Sequence, residues 1–221
     1  MIRKTLRNRL ASALFNWPIT IISDDCWAGQ LYKLFDIPFS SPTIGLWIEP
    51  GEYLSFVEHI TSPDAFVLTF DEIAEQRFGY PVGQTPYATI HFMHYKTSRS
   101  AQEAFQRRAT RINWKRFFVK IDFGKPGYTE TDVMKWDELA LENSVAFCPY
   151  DRTSGPLRPH RGIAIHGWVL DGARMFIVST RFFSIFDWLR DGALHTQVLS
   201  LIKNNFLIIL FRMLALISRK Q

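Results

Sequence analysis

The run Ile19-Thr20-Ile21-Ile22 ends at Ser23-Asp24-Asp25-Cys26, passes Trp27, Ala28 and Gly29, and enters a helical pattern through Leu31, Leu34 and Phe35. A β-branched apolar run is a strand signal, and apolar residues three and four apart are a helix signal. Strand, polar loop and helix in that order restrict the chain to folds in which strands feed helices, the α/β class. In open α/β sheets ligands bind where strand carboxyl ends open into a crevice and helix N-termini present backbone N–H groups. The segment therefore predicts a site near the start of the chain, without naming a reaction.

The alternation continues. Strands are expected over Thr43–Ile48, Phe66–Phe70, Tyr87–Tyr95, Arg116–Asp122 and Ser144–Cys148. Helices are expected over Pro50–Ile60, Ser98–Ile112 and Thr129–Leu139, the last with Thr129 as N-cap and Asp132 completing a capping box. Turn-rich sequence from Pro149 to Gly162 reads as a surface loop. Two more strands are expected over Ile163–Val169 and Met175–Ser179, joined by an Asp171-Gly172 hairpin turn, then a short helix over Ser184–Arg190. The sum is a three-layer, Rossmann-like α/β sheet, mostly parallel. A single domain over residues 17–195 is flanked by a basic helix at 1–16 and an apolar helix at 196–221.

With 221 residues the chain is long enough to bury a full core, and 19 Phe and 7 Trp make that core aromatic. The net charge of +5 is gathered in clusters: Arg3, Lys4, Arg7 and Arg9; Arg107, Arg108, Arg111, Lys115 and Arg116; Arg212, Arg219 and Lys220. Such clusters suit phosphate groups or an anionic bilayer, while the lack of any recognised nucleic-acid motif argues against a nucleic-acid partner. Two cysteines, Cys26 and Cys148, follow different strands, which favours a reduced, cytoplasmic protein. No apolar core of a secretory signal develops before Asn16.

Leu6, Leu10, Ala13 and Leu14 share one helical face, which suits either a bilayer surface or docking on the chain's own domain. Phe206–Phe211 is apolar on every side, but Lys203, Asn204, Asn205 and Arg212 interrupt the span. Three readings stand: a peripheral or partner-contacting helix, a buried terminal helix, or a membrane span. Peripheral attachment to the inner membrane is the expectation adopted.

Three constellations carry chemistry. At a strand end only one of Asp24 and Asp25 faces the crevice, as a general base or as ligand to a divalent cation; the alternative is capping of the following helix. Cys26 is either activated by the helix N-terminus or a small buried thiol. On a strand His91 and His94 project to opposite faces, which argues against a shared metal and makes His94, nearer the carboxyl end, the acid/base candidate. Arg107 and Arg108 each share a helical face with Arg111, a grip for phosphate or carboxylate unless they are a solvated face paired with Glu103. Asn113 and Trp114 end that helix, and Trp27 or Trp114 is placed to stack on a sugar. Lys120 and Asp122 share a strand face, in the crevice or at a solvent edge.

These residues bring a resemblance into view. Thr20-Ile21-Ile22-Ser23 running into Cys26-Trp27 and Gly29, Ser41-Pro42-Thr43-Ile44-Gly45-Leu46, Tyr80-Pro81-Val82-Gly83, Ile90–Tyr95, and Arg107–Asn113 through to Phe118-Val119-Lys120 resemble a bacterial family of unknown biochemical function, often labelled exopolysaccharide-biosynthesis protein. The chain departs from it at Asp24-Asp25, where asparagine is usual, and at Ala28, where a second glycine is usual. The resemblance implies an α/β protein of capsule, exopolysaccharide or lipopolysaccharide assembly. The expectation is a glycosyl or other substituent transferase taking a nucleotide-sugar or lipid-linked donor. Catalysis would fall to Asp24, Asp25 and His94. Trp27, His91, Arg107, Arg108, Arg111, Asn113, Trp114 and Lys120 would bind substrate, with a divalent cation as possible cofactor. The alternative is a non-catalytic, membrane-associated assembly protein.

Overall fold

The computed structural model describes residues 5–15, 18–150 and 159–218. The chain opens with α1 (Leu6–Phe15), β1 (Thr20–Ser23), α2 (Trp27–Phe35), β2 (Trp47–Ile48), α3 (Pro50–Glu58) and β3 (Thr69–Phe70). Next come α4 (Glu72–Phe78), β4 (Val82–Gln84), β5 (Thr89–His91), α5 (Ser98–Ala109) and β6 (Phe117–Asp122). Then follow α6 (Glu130–Glu138), β7 (Ser144–Pro149), β8 (Gly162–Ile165), α7 (Gly172–Ser179), α8 (Ile185–Asp191) and α9 (Val198–Ser218).

The architecture is mixed α/β. Strands β1, β6, β7 and β8 form a parallel sheet in that spatial order, with Ser23 opposite Lys120 and Phe147 opposite Ile163. The order runs one way across the sheet, so the strand reversal of a doubly wound fold does not occur among the described strands. The second sheet, β2-β5-β4-β3, is antiparallel throughout and occupies the long connection from β1 to β6.

Alternation along the parallel strands sorts their side chains onto two packed faces. Ile21, Phe118, Val145, Phe147, Ile163 and Ile165 join a cluster with α1, α2, α7, α8 and α9. Ile22, Val119, Ile121, Ala146 and Cys148 join another with α3, α5, α6 and the antiparallel sheet. With both faces covered, these strands read as continuous apolar runs, as parallel strands do.

Several boundaries differ from expectation for identifiable reasons. Residues 175–179 are helical, not extended: Asp171 accepts the Arg174 N–H and caps α7, whose inner face is Gly172, Met175, Phe176 and Ser179. Of Thr43–Ile48 only β2 is strand, and the strand predicted over Tyr87–Tyr95 shortens to β5. Helix α1 docks on the domain through Asn8, Ala11 and Phe15, leaving Leu6 exposed, so its buried face is not the Leu6–Leu14 stripe. The capping box at Thr129 and Asp132 is present. Met1–Lys4, Asn16 and most of the loop expected between Pro149 and Gly162 lie outside the described residues.

Candidate functional site

At the carboxyl ends of β1 and β6, three aspartates and two lysines meet in the interior. Lys120 is fully buried, and its ammonium donates to Asp24 Oδ1 and Asp25 Oδ2, both at 2.9 Å. Lys125, in the turn after β6, donates to Asp24 Oδ2 at 2.8 Å and lies 3.1 Å from Asp25 Oδ2. Asp24 Oδ2 also accepts the Asp122 N–H at 3.1 Å, and Asp25 Oδ1 accepts the first backbone N–H of α2, that of Trp27, at 2.9 Å. Asp122 Oδ1 accepts from the Gly124 N–H and the Trp168 indole N–H, while its Oδ2 is buried without a hydrogen bond, 4.0 Å from the Lys120 ammonium. A Cβ on Gly124 would collide with the Trp168 indole, so only glycine lets that ring reach Asp122.

Charge explains how the cluster divides. Two ammonium groups neutralise two carboxylates, and a third anion would be surplus in a medium that stabilises charge poorly. Burial raises Asp122, and Asp24 and Asp25 add to the effect, so that it is pushed up to about 6 against the pull of both lysines. Burial also disfavours the Asp25 anion, but Lys120 and Lys125 outweigh it and hold that carboxyl well below the usual range. Burial likewise opposes the Lys120 cation, and the three aspartates overcome it, raising Lys120 above an ordinary lysine.

Above this network lies a cavity of about 660 Å³. Its floor is Asp25, Cys26 and Lys125, and its walls include Gly29, Gln30 and Lys33 from α2, Met93 and His94 after β5, Trp47, and Gly172 with Ala173 from the first turn of α7. Cys26, Gly29, Gln30 and Lys33 share one face of α2 by helical spacing. Cys26 Sγ and His94 Nε2 lie 3.6 Å apart, within reach of a thiol–imidazole hydrogen bond. The Cys26 thiol is raised by burial and by Asp25, so it rests protonated rather than activated by the helix N-terminus. A Cβ on Gly172 would sit 2.6 Å from the Asp25 carboxyl carbon, so glycine here admits α7 to the site.

Of the residues singled out in the sequence, Asp25 and His94 line this cavity, with Asp24 and Lys120 immediately beneath. As expected, only one of the two aspartates faces the crevice. Lys120 and Lys125 hold Asp25 in its ionised form, which makes it a weak base at neutral pH. The place between Asp24 and Asp25 that a divalent cation would take is filled by lysine ammonium groups. No cluster of three or more metal-ligating side chains occurs among the described residues.

The other candidates do not line this cavity. Trp27 is fully buried against Phe147, Phe176 and Trp188 and cannot stack on a sugar. His91 is buried between Tyr80 and Trp47, facing Glu49 at 3.5 Å. Arg108 donates to the Ile44 carbonyl at 2.8 Å and lies over Phe39, and Arg111 reaches the Phe39 carbonyl at 3.5 Å. Arg107 is exposed on α5 and does not line the cavity. Asn113 ties the helix end to Pro18 and Thr20, and the exposed Trp114 stacks on Phe117. Lys120 and Asp122 do share a face, but β6 is an inner strand, so that face is interior rather than a solvent edge.

Residues 1–154 match a family described as a domain of unknown function, DUF1919. The chain belongs to this family. An uncharacterized protein of Haemophilus influenzae is 31% identical over 150 residues, which cover 66% of this chain and 67% of the relative. The DUF1919 match contains the buried charge network and the cavity residues up to Pro126; the α7 wall, with Leu170, Asp171, Gly172 and Ala173, lies beyond it. Within the DUF1919 segment, Lys33 and Lys125 were not foreseen as site residues. Lys125 had a signal, since Gly124-Lys125-Pro126-Gly127 is a turn at a strand's carboxyl end.

Proposed function

We propose that this chain is a transferase of surface-polysaccharide assembly, moving a sugar or other substituent from a phosphate-bearing donor bound in the cavity. The observation that carries the reading is the convergence on one cavity of Lys33, Lys125, the first turn of α7 and the Cys26–His94 pair. The Lys33 ammonium and helix N-terminal N–H groups are phosphate ligands, Lys125 staying with Asp24 and Asp25, and the apolar wall of Ile44, Leu46, Trp47 and Met93 suits the less polar part of a donor. A Rossmann-like, three-layer reading accompanies this proposal: both faces of the parallel sheet are covered, and the cavity opens at strand carboxyl ends.

In the proposed step an acceptor hydroxyl oxygen attacks the transferred carbon. The bond from that carbon to the donor's phosphate oxygen breaks, the phosphate leaves with the electron pair, and the hydroxyl proton passes to His94 Nδ1, the ring nitrogen that Cys26 does not engage. Cys26 holds the imidazole in place, and Asp25, bound to two lysines, fixes the loop that carries Cys26.

The test is thermal denaturation with a panel of nucleotide sugars, with and without Mg²⁺ or Mn²⁺, beside glycan output in cells. A donor at a hundredfold excess over its Kd should raise Tm by roughly 5–10 °C. Lys33→Met should lose that shift, whereas His94→Ala should keep it and abolish the glycan. If no donor shifts Tm and both variants make normal glycan, the transferase reading falls. A second reading, a non-catalytic binding protein of the same assembly, is favoured by one observation: the aspartates at the site are saturated by lysines. A ligand shift with glycan output unaffected by His94→Ala would select it.

A further inference from the structure

Helix α9 has two faces with opposite surroundings. Its inner face carries Asn204, Ile208 and Phe211, all buried. Asn204 Oδ1 accepts the Ile185 N–H at 2.9 Å, and its amide donates to the Thr180 carbonyl at 3.1 Å. Phe211 packs on Phe35 with ring centres 4.8 Å apart.

The outer face carries Leu199, Ile202, Phe206, Ile209, Met213 and Leu216, each between 56% and 81% exposed. Their spacing of three and four places them in one stripe about 26 Å long at 1.5 Å rise per residue. A surface helix of a soluble protein is ordinarily polar on this side, and a contiguous exposed apolar patch marks an interaction surface. Lys203 and Arg212 flank the stripe, both exposed, and α9 contains no acidic residue. Helix α1, packed beside α9, exposes Leu6 and Arg9.

We propose that α9 lies in the plane of an anionic membrane surface, its outer stripe at the boundary of headgroups and acyl chains and Lys203 and Arg212 against lipid phosphates. Charge selects this occupant over a second copy of the chain, because pairing two stripes flanked only by cations brings like charges together, whereas anionic lipid neutralises them. Docking selects it over a span. Val198–Ile217 is long enough to cross a bilayer, but crossing would withdraw Asn204 and Phe211 from the domain and place Lys203, Asn204 and Asn205 in hydrocarbon. The inference holds whichever reading of the cavity is correct.

Co-sedimentation of the full chain with phosphatidylcholine vesicles, with and without phosphatidylglycerol, tests it. Binding is expected with the anionic lipid and should weaken as salt rises. Lys203→Gln and Arg212→Gln should each lower partitioning about fivefold. Phe206→Ser with Ile209→Ser should lower it more than about tenfold, with little change in Tm because more than half of each side chain is exposed. Wild-type protein that stays in the supernatant, or variants that sediment equally well, would overturn the proposal. So would a dimer in light scattering that Phe206→Ser dissolves, or membrane-bound protein that resists alkaline carbonate.

Discussion

Lys120 is a cation at the centre of a sheet, and its neighbours decide which of them can be charged. Asp122 is the group left over. Its native pKa of about 6 stands above the ordinary 3.8, so the folded state binds this proton more tightly than the unfolded state does. Its contribution to stability is therefore full below about pH 4 and is lost as pH rises through about 6. Asp122→Asn should stabilise the protein near pH 8 by an amount on the order of 2 kcal/mol, a gain that shrinks towards pH 4. Urea denaturation at the two pH values checks this. Asp25 has the opposite sign, its stabilisation present above the ordinary carboxylate pKa and lost on acidification below it. Asp25 also raises the Cys26 thiol, so Asp25→Asn should speed alkylation of Cys26 by iodoacetamide at neutral pH, read by mass spectrometry. Asp24, Asp25 and His94 were legible because each ends or follows a strand. The spacing of the arginines left their role open, because a basic helical face has the same spacing whether it meets a phosphate or, as Arg108 does, a backbone carbonyl.

Helix α7 shows what patterning alone leaves open. Met175–Ser179 has β-forming side chains, and Asp-Gly is a hairpin signal, yet Asp171 is equally a good N-cap. What decided the outcome was tertiary: Gly172 is the residue that allows the helix to start against the Asp25 carboxylate. Gly172→Ala should therefore destabilise by about 1–3 kcal/mol through overpacking and weaken any ligand of the cavity. Denaturant titration measures the first, a thermal shift the second. Helix α4 was unreadable for another reason. It buries no residue, so no apolar period exists to be seen, and only Asp71 at its start and Gly79 at its end mark it. By contrast α6, with Thr129, Asp132 and buried Trp136, announced both its cap and its inner side.

On the scale of the molecule, the terminal helices are structural parts of the domain. Phe15 of α1 and Phe211 of α9 both pack on Phe35 and Phe186, and Arg116 at the head of β6 donates to the carbonyls of Phe15, Leu189 and Arg190. Removing residues 198–218 should therefore lower Tm and increase exposure of the core to a hydrophobic dye, so loss of function in that truncation would not by itself show loss of attachment. The parallel sheet was built from segments visible in the sequence, whereas β4 of the antiparallel sheet was not expected as a strand, and the partition into two sheets was not legible because strand pairing is a long-range property that local alternation does not encode.

That partition has a consequence for how the chain acquires its shape. The ion pair of Asp24 with Lys120 joins residues 96 positions apart, and among the described strands β1 has no neighbour in its sheet except β6. During synthesis at about 5–20 residues per second, β1 and its two aspartates wait several seconds for the strand and the lysine that complete them. The antiparallel sheet, made wholly of the intervening segment, is free to form in that interval, and its formation shortens the loop that β1 must close. Topology therefore leads us to expect the inserted sheet to form ahead of the β1–β6 pairing and its charge network.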